Sequence, residues 1–237
     1  MEKIIHRAAS RGHANHGWLD TWHTFSFSDY YDPNRMHFGV LRVLNDDTVK
    51  GGKGFGTHPH DNMEIVTIPL SGALEHRDNT GRHGIIRSGD VQIMSAGTGI
   101  THSEFNASPA DPVQLLQIWV FPKARNITPR YDQRNFPLEE RINTWQTVVS
   151  PGKDDSALSI HQDAWFSLSR LKAGSKLTWD TRRKDNGIYL FVMEGKITCS
   201  GEILERRDGL GLQDLESAAE IQSLEQADIL LMDLPMH

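Results

Sequence analysis

The longest uninterrupted apolar run in this chain is Ile188-Tyr-Leu-Phe-Val-Met193. A membrane helix needs about 20 such residues, so none is expected. No stretch much beyond a dozen residues keeps a 3.6-residue period. Instead, short runs rich in Val, Ile, Leu and aromatics are separated by Gly, Asp and Asn, the pattern of strands and turns. Strands are expected at Phe38–Leu44, Met63–Leu70, Gly89–Met94, Leu115–Val120, Leu158–His161, Trp165–Ser169, Ile188–Met193, Lys196–Cys199 and Asp228–Met232. Many short strands with closely spaced turns make an all-β sandwich or barrel.

The pattern repeats. Glu64-Ile-Val-Thr-Ile-Pro-Leu-Ser-Gly72-Ala-Leu-Glu-His76 reads as strand, turn glycine, strand, and Ile188-Tyr-Leu-Phe-Val-Met-Glu-Gly195-Lys-Ile-Thr-Cys199 has the same shape. An Asp-containing glycine turn follows each, at Gly89 and Gly209. The two turn glycines lie about half the chain apart, which predicts two similar β domains in tandem. The polar stretch Asn135–Asn143, with Pro137, is the expected linker, and 150–155 the expected first loop of the second half.

Charge and cysteine content narrow the function. Lys and Arg number 25 against 31 Asp and Glu, a net charge of −6, which lacks the basic footprint of a direct nucleic-acid binder. Cys199 is the sole cysteine, so no internal disulfide forms; it reads as a buried, inert thiol. With no apolar signal core after Met1, a cytoplasmic protein is expected.

The chemistry concentrates in two segments. In Gly51-Gly-Lys-Gly-Phe-Gly-Thr-His58-Pro-His60-Asp-Asn-Met-Glu64, His58 and His60 are two apart and on a strand share one face. Glu64 has the same parity unless the chain bends after Pro59. In Ser95-Ala-Gly-Thr-Gly-Ile-Thr-His102-Ser-Glu104-Phe-Asn106, His102 and Glu104 repeat that spacing. Brought together across a small barrel, the pairs would offer three nitrogens and one carboxylate to a metal. Each part alone has a dull alternative: an incidental His-x-His, a satisfied polar histidine, a surface carboxylate. For the set, the dull alternative is a closed structural zinc. Four ligands would leave two octahedral positions, which suits a divalent first-row metal. Iron(II) is the first choice; manganese, cobalt, nickel, copper and zinc are compatible. His13, His16 and His23, among Trp18, Trp22, Phe25 and Phe27, read as a segment covering the barrel.

Gly52, His58, His60, Glu64, Gly89, His102 and Asn106, in this order, resemble the paired motifs of the cupin superfamily. His58-Pro-His60 followed by Ser95-Ala-Gly-Thr-Gly-Ile-Thr-His-Ser-Glu104 closely resembles the pirin family. Arg11-Gly-His-Ala-Asn-His-Gly-Trp-Leu-Asp20 is similar to its bacterial branch. The resemblance implies a bicupin: an N-terminal metal-binding domain (1–135), then a linker and C-terminal cupin domain without metal ligands (136–237). It places the ligands on His58, His60, His102 and Glu104, and excludes Glu64, leaving it a supporting role. The second domain fits, because only His161 and His237 follow residue 102. The implied activity is that of quercetin 2,3-dioxygenase, which opens the heterocycle of a flavonol with O2 and releases carbon monoxide. Glu104 would act as the base for the flavonol 3-hydroxyl proton. The expected partners are a flavonol and O2, with no nucleic acid and no membrane; the chain is expected to be a monomer. A second implied reading is a metal-containing regulatory protein that works through protein contacts.

Overall fold

A computed structural model describes residues 1–152 and 156–237. The expected all-β architecture is present: among the described residues, helical geometry is confined to two short 3-10 turns, Ala8–Ser10 and Leu138–Arg141. Four sheets form two barrels, each a seven-stranded sheet facing a four-stranded one.

In the N-terminal barrel the large sheet runs Arg130–Asn135, Asp90–Ser95, Glu64–Ser71, Val113–Val120, Leu41–Val49, Leu19–His23, Gly12–Asn15. Its small sheet runs Gly54–His60, Ile100–Asn106, Ala73–Asp78, His83–Arg87. The C-terminal large sheet carries Asn186–Glu194 and Ala227–Pro235 at its centre, and Ile197–Cys199 lies in the opposing small sheet. The N-terminal strand Glu2–His6 crosses to the other barrel and pairs with Gly209–Gln213.

The internal repeat has a structural meaning. Gly72 and Gly195 each turn the chain from the large sheet to the small sheet of their own barrel, at φ +75° and +85°. At Gly195 a Cβ would also stand 2.1 Å from the Gln226 carbonyl, so the turn admits only glycine.

Strand alternation builds the core. On Val113–Val120, Leu116, Ile118 and Val120 face the opposite barrel, whereas Leu115 and Trp119 face inward. On Asn186–Glu194, Tyr189, Phe191 and Met193 face the seam, and Ile188, Leu190 and Val192 face inward. The largest apolar cluster thus lies between the two large sheets and draws on both halves of the chain.

The two barrel interiors differ. The C-terminal one is filled by a single apolar cluster that includes Leu171, Leu190, Leu210, Ile221 and Leu231. Cys199 is buried in it, and burial pushes its thiol up to about 11, as fits an inert side chain. Trp179, at the place expected for a His-x-His, is buried and donates its indole N–H to Asp233. The N-terminal interior is instead split into two apolar groups, one around Leu74 and Val113, the other around Ile65 and Met94.

One strand begins later than expected. Gly39 turns at φ +50° and Phe38 bridges back to Leu41, so the ladder runs from Leu41 to Val49. The polar residues Asn45 and Asp47 continue it because their side chains are buried and hydrogen-bonded, to His23 and Thr21. In the loop expected at 150–155, Ser150 and Pro151 end a strand, and 153–155 lie outside the described residues.

Candidate metal centre

The small N-terminal sheet positions the chemistry. Strands Gly54–His60 and Ile100–Asn106 pair antiparallel, with His102 opposite His58 and Ile100 opposite His60. The register slips between His102 and Glu104, a bulge of the kind that re-aims side chains beside functional sites. The three imidazole rings converge, with centroids 4.8 Å apart for His58–His60, 4.4 Å for His58–His102 and 4.9 Å for His60–His102. One ligating atom from each lies within 4.8 Å of the others.

Glu104 enters from the buried side. It forms a second such group with His102 and His76, so His102 belongs to both. Its Oε2 accepts the Gln117 amide N–H at 3.0 Å, and the Gln117 carbonyl oxygen accepts the Thr67 hydroxyl at 2.8 Å. Glu104 Oε1 and His102 Nε2 are buried with no hydrogen-bond partner among the described residues.

Burial keeps two of the imidazoles neutral. Burial pulls His102 down to about 2, with His58 and His60 adding repulsion. Burial, then His58, pulls His60 down to about 4. Burial pushes Glu104 up to about 7, against the pull of the Gln117 donor. Unprotonated nitrogens and two orphaned buried acceptors are costly unless a cation takes up their lone pairs. This donor set fits a divalent first-row ion. His58 is already oriented for that role: its Nδ1 donates to the Gly56 carbonyl at 2.8 Å and leaves Nε2 free.

The centre opens on one side. His58 and His60 are half-buried, whereas His102 and Glu104 are buried. Aromatic rings adjoin these two histidines: Phe55 lies 6.4 Å from His58, and Trp119 stands edge-on 4.9 Å from His60, with Phe27 5.3 Å beyond.

The other sequence candidates fall elsewhere. Glu64 begins the next strand, in the large sheet, after a turn at Asn62 with φ +46°. It shares a face with Val66 and Ile68, toward the seam, so the bend after Pro59 cancels its parity with His58 and His60. His13 stacks on Trp22 at 4.1 Å and reaches Asp20, and His23 pairs with Asn45. Both lie in the large sheet itself, His13 on its edge strand and His23 on the strand next to it. His76 is an addition that the sequence reading misses, although His76-x-Asp78 on a strand carries the same two-residue spacing as the other pairs.

The whole chain has close counterparts. It is 44% identical over 235 residues to a quercetin 2,3-dioxygenase of Escherichia coli K12, covering 98% of each chain. It is 43% identical over 223 residues to a pirin-like protein of Caulobacter vibrioides, covering 94% of this chain and 95% of that one. The Pirin family profile matches residues 5–120. The chain belongs to the pirin family. Within this family, the crystal structure of the bacterial pirin YhhW from Escherichia coli in complex with nickel(II) superposes with a TM-score of 0.93 at 44% identity, covering 99% of both chains. The quercetinase C-terminal cupin domain profile matches residues 147–234, so the second barrel is a cupin too. A pirin fold with this His/Glu cluster, and a nickel-bound relative, support one divalent metal per chain.

Proposed function

We propose that this pirin is a metal-dependent dioxygenase that opens the heterocycle of a flavonol such as quercetin with O2 and releases carbon monoxide. His58, His60, His102 and Glu104 would hold the metal, iron(II) by preference. The observation that carries this reading is the triangle of three imidazoles, two kept neutral by burial, beside a buried carboxylate with one unpartnered oxygen. The relatives named quercetin 2,3-dioxygenase supply the substrate class.

A bound divalent ion supplies Lewis acidity toward an acidic hydroxyl and a redox-active contact for O2. The protein does the rest. Phe55 and Trp119 offer flat apolar walls to a planar aromatic substrate on the open side. Glu104 Oε1, the oxygen that Gln117 does not hold, would take the 3-hydroxyl proton as general base. Gln117, itself held by Thr67, fixes the other oxygen, so the base presents one defined atom. Ile65, Met94 and Ile100, with Trp119 packed against them, form a buried apolar wall that excludes water from that flank. The chain would work as a cytoplasmic monomer.

The test is O2 consumption with quercetin by protein reconstituted anaerobically with iron(II), assayed beside His58→Ala. Multiple turnovers in the wild type, carbon monoxide in the headspace and loss of both in the variant are expected. No turnover above free metal at full occupancy would overturn the enzyme reading in favour of a regulatory role.

A further inference from the structure

Behind His102 stands a line of buried groups that the ligand reading does not use. The register sets Asp78 opposite His102 and His76 opposite Glu104. The side chains of His76 and Asp78 are fully buried, with His76 Nε2 3.0 Å from Asp78 Oδ2. The other carboxylate oxygen, Oδ1, accepts the Thr80 N–H at 2.8 Å, the Thr80 hydroxyl at 2.6 Å and the Arg82 N–H at 3.2 Å. Those three donors fix the carboxylate's orientation. On its far side, His76 Nδ1 lies 3.3 Å from His102 Nδ1, and the Tyr131 ring covers His76 at 4.5 Å.

Proton counting along this line has one economical solution. An ionised carboxylate only accepts, so His76 Nε2 carries the proton that faces Asp78. Neutral His76 then has a bare Nδ1, which can only accept. His102 Nδ1 must therefore be the donor, and His102 Nε2 is left as a lone pair. That is the His102 atom with no partner among the described residues. The reverse order would press a bare His76 Nε2 against carboxylate lone pairs.

We propose that Asp78 and His76 are positioning residues that lock His102 in the Nδ1–H tautomer, so that Nε2 faces the metal as a lone pair. This rests on the reading of His102 as a ligand. Gly56 does the same for His58 through one carbonyl; His102, deeper in the barrel, needs a relay because its neighbour is another imidazole.

The decisive variant is Asp78→Asn. Its carboxamide oxygen can keep the three donors from Thr80 and Arg82, which turns its NH2 toward His76. That reverses every proton in the line and puts a hydrogen on His102 Nε2. Two measurements read this out. Long-range 1H–15N NMR of metal-free protein labelled on histidine should show His102 as Nδ1–H in the wild type and Nε2–H in Asp78→Asn. Nickel(II) titration calorimetry should show affinity lower by about 10- to 100-fold. His76→Phe, which keeps bulk but removes the acceptor, should also weaken nickel binding, whereas His76→Gln, able to donate to Asp78 and accept from His102, should restore most of it. If Asp78→Asn folds poorly, the His76 pair carries the test. An unchanged tautomer with unchanged nickel affinity overturns the relay. So does a loss in His58→Ala with none in His76→Phe. Retained nickel affinity in His58→Ala and His102→Ala would overturn the ligand reading itself, and the relay's purpose with it.

Discussion

Across the seam between the barrels, His161 donates its backbone N–H to Glu64 Oε2 at 3.2 Å. The same oxygen accepts the Ser95 hydroxyl at 2.9 Å, and Oε1 is buried with no hydrogen-bond partner among the described residues. Arg130, also near Glu64, reaches the Ser159 carbonyl on the same stretch of the second barrel. Glu64 therefore fastens the C-terminal barrel to the strand that follows the His-Pro-His segment. Burial raises this carboxyl from 4.5 to about 7, against the pull of those two donors.

That rise has a defined consequence for stability. The native state holds the Glu64 proton up to about pH 7, whereas the unfolded chain releases it near 4.5. The resulting stabilisation is full below the unfolded value and is lost as pH rises through the folded one. Glu64→Gln removes the titration. Urea denaturation should find the variant close to wild type at pH 5 and more stable at pH 8. The gain at pH 8 should reach roughly 3 kcal/mol, because the folded and unfolded carboxyls part with the proton at different pH and each pH unit of that gap is worth about 1.4 kcal/mol. Asp47 and Glu104 are raised in the same way, so the variant keeps a residual slope. Equal pH dependence in the two proteins would sink this assignment.

Metal binding should be visible in stability as well as in activity. A ligand held only by the native state at a hundredfold excess over its Kd adds about 2.7 kcal/mol. Removing the metal with a chelator should lower the Tm of the wild type. In His58→Ala, which lacks one member of the imidazole triangle, the same treatment should produce a much smaller drop. A Tm that does not move on verified removal of metal would count against a site formed by this triangle.

Gln117 donates to Glu104, and Thr67 holds Gln117 in turn. Gln117→Leu strips the hydrogen bond from the proposed base, and a bond to a charged group is worth about 1.5–3 kcal/mol. Turnover of quercetin should fall by about 10- to 100-fold at saturating substrate. Thr67→Val should cost less, because the amide keeps its contact with Glu104 and loses only its orientation. Steady-state kinetics that rank the two variants in the opposite order would exclude this arrangement.

The parts of this fold that depend on short-range pattern are readable in the sequence. Val66, Ile68, Leu116, Tyr189 and Phe191 alternate with inward-facing residues as strand parity demands, and Gly72 and Gly195 mark matching turns. His58, His60 and His102 meet because His58 and His60 sit two apart on one strand and His102 lies opposite on its partner. What escapes depends on long-range register. Glu64 keeps an even spacing from His60, but Asn62 turns the chain into another sheet, so parity does not carry through. His76 reads as one more strand histidine until the pairing of Ala73–Asp78 with Ile100–Asn106 places it behind His102. The crossing of Glu2–His6 into the second barrel leaves no local signal, because its pattern would suit an edge position on either large sheet.

That crossing strand gives a last expectation. Its final residue, His6, is buried and shares a 2.8 Å hydrogen bond with the Tyr189 hydroxyl at the seam. Burial pulls His6 down to about 4, so it is neutral at pH 7 and the bond joins two neutral groups. Tyr189→Phe leaves the His6 nitrogen buried without this partner, at a cost of about 1–3 kcal/mol. The effect should be local first. Hydrogen exchange should quicken in Glu2–His6 and in its neighbour Gly209–Gln213, while nickel(II) affinity stays at the wild-type value because Tyr189 lies outside the metal centre. The His6 contribution also falls away in acid, since the unfolded histidine takes a proton near 6.5 and the folded one only near 4. The destabilisation of Tyr189→Phe should therefore be measured near pH 8, where both states hold His6 neutral. Unchanged exchange in both strands at that pH would show that the hydroxyl does not anchor the crossing.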